Sequence, residues 1–340
     1  MTTLRATSWA HVRGIAPLAA AGQLFSDRNP GTAFEVVAHS ARTFGEGPLD
    51  ELAREFDLIA FDHPMTGEAV ERGLFIPLEG NLPAEVLAER ERHSVGASYR
   101  SYVYEDNVWG LPLDAACMVS AVREDLLQEI PQTWEDLIAL ARGGRVAQGF
   151  SRMTAAALYF MLTNSGDSDA MAREKLRELL TLTGGIARLQ QGSIQILEAM
   201  ARGEDIAFLP AGYGYSSYSR PGFAKYPLTF HATPIASKGA VLGGAGLAVS
   251  AFSKNRDLAL SFLEWVTGAD CQTNVYAVCG GQPAHGLAWE ADLPNALTGD
   301  FYRRLRPHME SAWVRANTPG FHLRQGDLAT DLHAFFSLSK

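Results

Sequence analysis

The chain has 340 residues, of which 47% are hydrophobic and 20% charged, and a formal net charge of −9 at pH 7. That length exceeds one ordinary hydrophobic core and suits two α/β lobes, and the composition excludes extended disorder. The acidic balance argues against nucleic acid or an anionic membrane surface as partner, since both need a basic face, and leaves a small neutral or acidic ligand open.

In chain order, 4–9 reads as a first strand and 10–14 as a loop. Residues 15–27 carry helical spacing through Ile15, Leu18, Ala19, Gly22 and Phe25, and Asn29-Pro30-Gly31 stops the helix. The same stretch can be read as a secretory leader, with Arg5 and Arg13 flanking small and apolar residues. Pro17 interrupts that apolar core and the first strand would be lost, so the expectation is a chain with no evident export signal. Residues 34–38 form a second strand, 49–56 a short helix, and 57–61 a third strand ending at Asp62-His63-Pro64. Alternating strands and helices of this kind imply a parallel sheet with right-handed crossovers, in which ligands collect at the carboxyl ends of the strands. The loops at those ends carry Trp9, His11, Arg13, Asp62 and His63.

Residues 67–72, 74–78 and a helical region at 83–92 lead to a crossover. Pro112 removes a backbone donor, so Gly110-Leu111-Pro112-Leu113-Asp114 suits a segment leaving one sheet and entering another. The uncharged strand 115–122 follows, with Asp114 and Cys117 expected to face the gap between two lobes. Thr133 caps a helix over 133–141, with Asp136 as the shorter stand-in for the Glu of a capping box. Helices follow at 151–162, 170–182 and 193–202, the last ended by Gly203. Residues 206–209 read as a strand, 210–218 as a Gly and Tyr loop, and 228–234 as a strand. Gly243-Gly244-Ala245-Gly246 precedes a short strand at 247–250; it lacks a phosphate-loop Lys and opens no helix, which excludes a nucleotide site. A long helix over 258–278 runs to the turn Gly280-Gly281-Gln282-Pro283, and shorter helices lie near 301–309 and 327–336. Cys271 and Cys279 would be about 12 Å apart in one helix, beyond the roughly 7 Å reach of a disulfide, so they bond only if that helix ends early. No run approaches the roughly 20 apolar residues of a membrane span.

Several phrases stand in a telling order: Asp57-Leu58-Ile59-Ala60-Phe61-Asp62, Val108-Trp109-Gly110-Leu111-Pro112-Leu113-Asp114, Thr133-Trp134-Glu135-Asp136-Leu137, Gly203-Glu204-Asp205-Ile206-Ala207-Phe208, Gly243-Gly244-Ala245-Gly246-Leu247-Ala248-Val249-Ser250 and Leu260-Ser261-Phe262-Leu263-Glu264-Trp265-Val266. With them the chain resembles the family 1 extracellular solute-binding proteins, the carbohydrate-type receptors of ABC importers with the type II periplasmic-binding fold. The resemblance implies an α/β fold of two lobes, each a mainly parallel sheet flanked by helices, with hinge strands between them and the ligand in the cleft. Lobe one is expected at 1–112 and 236–292, lobe two at 113–235 and 293–340. It further implies a non-enzymatic, monomeric receptor in the periplasm or at the cell surface that closes on a small sugar-like ligand and passes it to an ABC permease. Family members normally carry an export leader, so a cytoplasmic location stays open.

The candidate residues divide by chemistry. Trp9, Tyr213 and Tyr215 could stack on a sugar face, against the alternative of filling lobe cores, and the pocket is preferred for all three. Asp62 and Asp114 could accept ligand hydroxyls, against turn or cap roles. His11, Arg13 and His63 could hold an acidic substituent of the ligand, Arg being suited to oxyanions. The two histidines lack the short-range partners of a metal site, and no metal or cofactor is expected. Gly244 and Gln282 are placed in the cleft, Gln282 against the alternative of a plain helix-end turn. Cys117 is set among the ligand-binding residues. It also carries the rival reading, a cytoplasmic enzyme with a cysteine nucleophile as in the similarly folded thiaminases, although a small buried residue is the preferred account. A cytoplasmic ligand sensor is the third reading.

Overall fold

The computed structural model describes residues 1–39, 49–236 and 239–338. They form two compact units, one of Met1–Ala115, Gly243–Leu297 and Val314–His322, the other of Ala116–Leu242, Thr298–Trp313 and Leu323–Lys340. Along the chain, the first unit opens with β1 (Thr2–Trp9), α1 (Val12–Arg28) and β2 (Thr32–His39), then α2 (Leu49–Glu55), β3 (Leu58–Phe61), α3 (Thr66–Glu71) and α4 (Ala84–Arg92). A short hairpin, β4 (Val103–Tyr104) and β5 (Asn107–Val108), precedes β6 (Leu111–Val122), within which the chain leaves the first unit. The sequence starts this strand at residue 115; its twelve residues are all buried and include Pro112.

The second unit continues with α5 (Trp134–Arg142), α6 (Arg152–Asn164), α7 (Asp169–Leu182), α8 (Ser193–Arg202), β7 (Phe208–Tyr213) and β8 (Thr229–His231). The predicted capping box at α5 is present: Thr133 Oγ1 accepts from the Asp136 N–H at 3.1 Å and the Asp136 carboxylate accepts from the Thr133 N–H at 3.1 Å. Gly203 ends α8 at φ 103°, a left-handed position that glycine takes without a Cβ penalty. The chain returns through β9 (Leu242–Val249), α9 (Arg256–Val266), α10 (Ala269–Cys271), α11 (Gly286–Glu290) and α12 (Asp292–Thr298), and ends with α13 (Phe301–Glu310) and α14 (Phe321–Ser337). None of the described helices is long and apolar enough to cross a membrane.

In the first unit β1 pairs with β2 and β3 in parallel, as expected of a strand–helix–strand alternation, while β9 runs antiparallel to β3. The pleat sorts the core into two faces. Leu4, Ala6, Leu58, Ala60, Leu247 and Val249 point to one side with Leu18 and Phe25 of α1 and Phe262 of α9. Ile59, Phe61 and Ala248 point to the other, with Leu49 and Ala53 of α2 and Ala69 of α3. Both faces are covered, so the polar ends of the strands are where this sheet can present chemistry.

Four features differ from the sequence expectations. The second unit is not mainly parallel: β6 pairs antiparallel with both β7 and β8, and among the described residues the unit's parallel contacts are two isolated bridges, Val146 with Phe208 and Val241 with Trp313. The stretch 210–213 is strand rather than loop. Pro210 and Ala211 lie opposite Ser120 in a bulge, flanked by the pairs Ala121–Leu209 and Val119–Gly212, where the missing proline donor leaves no rung broken. The buried Gln148 side chain bonds both backbone groups of Ala211, at 2.8 and 2.9 Å. The single helix expected over 258–278 is broken. Gly268 takes an extended conformation after α9, and a π turn follows at Gln272–Tyr276, where buried Gln272 donates to Val266 O at 3.0 Å and accepts from the Ala284 N–H at 2.7 Å. Cys117, Cys271 and Cys279 are all free. Last, Val314–His322 belongs to the first unit, whereas the sequence gives the whole tail to the second lobe. Asn317 anchors it, donating to Ser101 O and Val103 O at 3.1 and 2.7 Å and accepting from the Gly67 N–H at 2.8 Å.

Candidate functional site

Of the eleven candidate residues, Trp9, His11, Arg13, Asp62, His63, Asp114, Gly244 and Gln282 lie in the first unit, and Cys117, Tyr213 and Tyr215 in the second. The first-unit group gathers at the carboxyl ends of β1 and β3. Trp9 closes β1 with its ring against Gly14 in the first turn of α1, so close that a Cβ on Gly14 would lie 2.7 Å from it. His11 is the N-cap of α1: its Nδ1 accepts from the Arg13 N–H at 3.0 Å, which places the ring proton on Nε2. Burial, reinforced by the Arg13 charge, lowers the His11 pKa to about 4. It is therefore neutral at pH 7. An ordinary histidine titrates near 6.5, so His11 favours the folded state fully above that pH, and this stabilisation is lost as the pH falls from 6.5 toward 4. An NMR titration of the His11 ring is expected to give a midpoint near 4; a midpoint near 6.5 would contradict the buried, capping geometry.

Arg13 reaches β6. Its Nε donates to Asp114 Oδ2 at 2.9 Å and its Nη2 to Asp114 Oδ1, a two-pronged ion pair with the Arg13 side chain 3% exposed and that of Asp114 fully buried. Burial pushes the Asp114 pKa up, and Arg13 and the Gln282 backbone offset only part of that rise. Around Asp114 the backbone is locked: Ala115 N–H donates to Gln282 O at 3.1 Å, the Gln282 side-chain amide donates to Ala115 O at 2.7 Å, and Gly244 lies against the Asp114 carbonyl.

At the end of β3, Asp62 accepts two bonds from Arg315 Nη2, at 2.8 and 2.9 Å, and its Oδ1 stands 3.4 Å from His63 Nδ1. Burial alone would raise the Asp62 pKa; Arg315 and His63 overcome it and bring the value down to about 2. Burial and the Arg315 charge lower the His63 pKa, so that ring is also neutral at pH 7. With Nδ1 facing an ionised carboxylate, and the Arg315 backbone also within hydrogen-bonding reach of the ring, the ring proton is placed on Nδ1, and Nε2 is left as an acceptor with no hydrogen-bond partner among the described residues. Ser8 Oγ, one residue before the end of β1, is likewise buried and without a partner among the described residues. Tyr102 lies between the two ion pairs: its ring centroid is 6.2 Å from that of His63, and the charges of Asp62 and Asp114 add to burial in raising its phenol pKa well above 10.

In the second unit, Tyr213 and Tyr215 are both half-buried, and Tyr215 packs edge-on to the buried Tyr218 at 6.4 Å. Cys117 is 2% exposed in the middle of β6, and burial pushes its thiol pKa far up. An activated nucleophile requires the opposite shift. Its environment is that of a small core residue. Among the described residues no group of three His, Cys, Asp or Glu side chains could hold a metal.

Sequence reasoning missed Arg315, Tyr102 and Ser8. Arg315 sits in the irregular stretch between α13 and α14, where no periodicity marks it as buried. Ser8 lies in a strand that alternation does identify, but nothing local says that its hydroxyl lacks a partner.

The sequence profile of a family described as bacterial extracellular solute-binding protein matches residues 50–285. No curated protein sequence matches the chain. Among solved structures, a maltose-bound MalE3 of T. maritima superposes with a TM-score of 0.84 at 14% identity, covering 100% of this chain and 96% of its own. An ABC transporter solute-binding protein of Agrobacterium radiobacter K84 in complex with ribitol gives 0.82 at 16%, covering 100% and 94%. Thiaminase I of Bacillus thiaminolyticus gives 0.73 at 15%, covering 98% and 99%. At such identities the likeness establishes the two-lobe α/β fold.

Proposed function

Since the chain belongs to the bacterial extracellular solute-binding family, we propose that it captures a small hydroxyl-rich solute, a sugar or a polyol, outside the cytoplasm and passes it to a membrane permease of an ABC importer. The observation that carries this reading is the family match over residues 50–285. The maltose and ribitol bound by the structural relatives support the ligand class. The first-unit cluster supports it too: Trp9, buried to 6% exposure at the end of β1, stands beside Ser8 Oγ and near His63 Nε2, whose hydrogen-bonding capacity is unused among the described residues. On this reading binding releases no product. Capture is completed by bending of the crossing strands near Ala115 and Gly243, where the chain changes unit.

A thermal-shift screen over sugars and polyols tests the reading, since a tight ligand raises apparent stability by mass action. At least one member is expected to raise Tm at millimolar concentration, and calorimetry is expected to return it unaltered. Trp9→Ala is expected to weaken the best such ligand tenfold or more, about 1.4 kcal/mol of lost contact. An unchanged affinity in a folded variant would remove Trp9 from the site. Turnover of any bound compound would overturn the receptor reading in favour of an enzyme. The burial of Cys117 argues against that outcome.

A further inference from the structure

We infer that the site selects uncharged sugars or polyols and rejects their acidic counterparts, because the cations at its strand ends are already matched by the protein's own buried carboxylates. The inference rests on the proposed solute-binding role and narrows its ligand class. From sequence alone, His11, Arg13 and His63 suit an acidic substituent. The geometry assigns them otherwise. Arg13 is held by Asp114, and Arg315 spans both oxygens of Asp62, so each guanidinium faces one carboxylate at hydrogen-bond distance. Two cations and two anions leave this described part of the site with no formal charge to offset an anion.

The histidines add none. His11 is fixed through Nδ1 as the cap of α1, and both rings are neutral at pH 7. The polar capacity that remains at His63 is a lone pair, because Asp62 faces Nδ1 and leaves Nε2 as acceptor. A ligand hydroxyl can donate to that lone pair. A carboxylate carries only acceptors and would meet it with repulsion. Bringing a further negative charge among groups this buried, beside two carboxylates already present, carries a desolvation cost that Arg13 and Arg315, both already matched, do not offset.

The test uses the wild-type protein and matched pairs that differ at one carbon: glucose and glucuronate, galactose and galacturonate, ribitol and ribonate, mannitol and mannonate. Affinities are measured by calorimetry at pH 7 and constant ionic strength. For every pair that binds, the neutral member is expected to bind at least a hundredfold more tightly. An acid that binds as tightly as its neutral partner, or more so, overturns the inference and leaves the hydroxyl-rich reading standing. If no member of any pair binds at millimolar concentration while a ligand of another class does, both fall. Asp62→Asn frees the Arg315 charge and is expected to shift the acid-to-neutral preference tenfold or more toward the acid. No shift in a variant with wild-type circular dichroism would overturn the role given to the Arg315–Asp62 pair.

Discussion

Asp114→Ala is expected to destabilise the protein by about 3–5 kcal/mol, more than an exposed ion pair could account for. The cause is what the substitution leaves behind. Arg13 makes a two-pronged bond to Asp114 at a site where both side chains are almost fully shielded from water. Removing the carboxylate strands a guanidinium in that setting, and the penalty is the desolvation of an unmatched charge rather than the loss of one contact. Arg13→Met in the same chain removes the stranded charge, so the double variant is expected to recover most of the loss. A double-mutant cycle by urea denaturation, with the slope m checked for constancy, measures the coupling. If Asp114→Ala cost less than about 1 kcal/mol, or the double variant were simply additive, the pair would be a solvated contact and the charge-matched account of the site would fail. The cycle also separates two roles of Asp114. A ligand-hydroxyl acceptor alone would lower affinity with little effect on unfolding.

The ion pairs show where sequence reasoning stops. The parallel order of β1, β2 and β3 was legible because apolar runs of strand length alternate with helical spacing and are punctuated by Asn29-Pro30-Gly31 and Asp62-His63-Pro64. Trp9, His11, Arg13, Asp62 and His63 could be placed at the strand ends by the same logic. Their partners could not. Arg13 and Asp114 are 101 residues apart, and Asp62 and Arg315 are 253 apart. No local pattern encodes which carboxylate meets which guanidinium, so the sequence left both aspartates as ligand acceptors and both histidines as possible cations. The broken helix after Val266 was hidden for a related reason. Gln272 looks like an ordinary helical residue, and its side chain binds backbone groups as distant as Leu113 O and the Ala284 N–H. The strand at 208–213 was masked by Pro210 and Gly212, which suit a loop until a bulge at Pro210-Ala211 in that strand accommodates the proline.

Gly244→Ala is expected to cost about 2–5 kcal/mol, although the change adds a single methyl group. Gly244 has φ 110°, a conformation that L side chains rarely adopt, and a Cβ built there would lie 2.2 Å from the Asp114 carbonyl oxygen and 3.0 Å from Ala115 Cα. Both obstacles are backbone, so no side-chain rotamer can move away. Gly31 supplies the control: its φ is 90°, yet a Cβ there meets nothing within 4 Å. Gly31→Ala should therefore cost only the conformational part, about 1–2 kcal/mol. The excess at Gly244 reports the close approach of β9 to the residue that holds Arg13. Relief of that clash requires the Asp114 backbone to shift, which would draw its carboxylate off the guanidinium. Urea denaturation of the two variants side by side is expected to show the larger loss at Gly244, and any ligand found for the wild type should bind Gly244→Ala at least tenfold more weakly. Equal losses at the two glycines, with wild-type affinity in both variants, would mean that β9 and β6 can part at this point without disturbing the site. The Ala115–Gln282 lock beside Asp114 would then have to be assigned to fold stability alone.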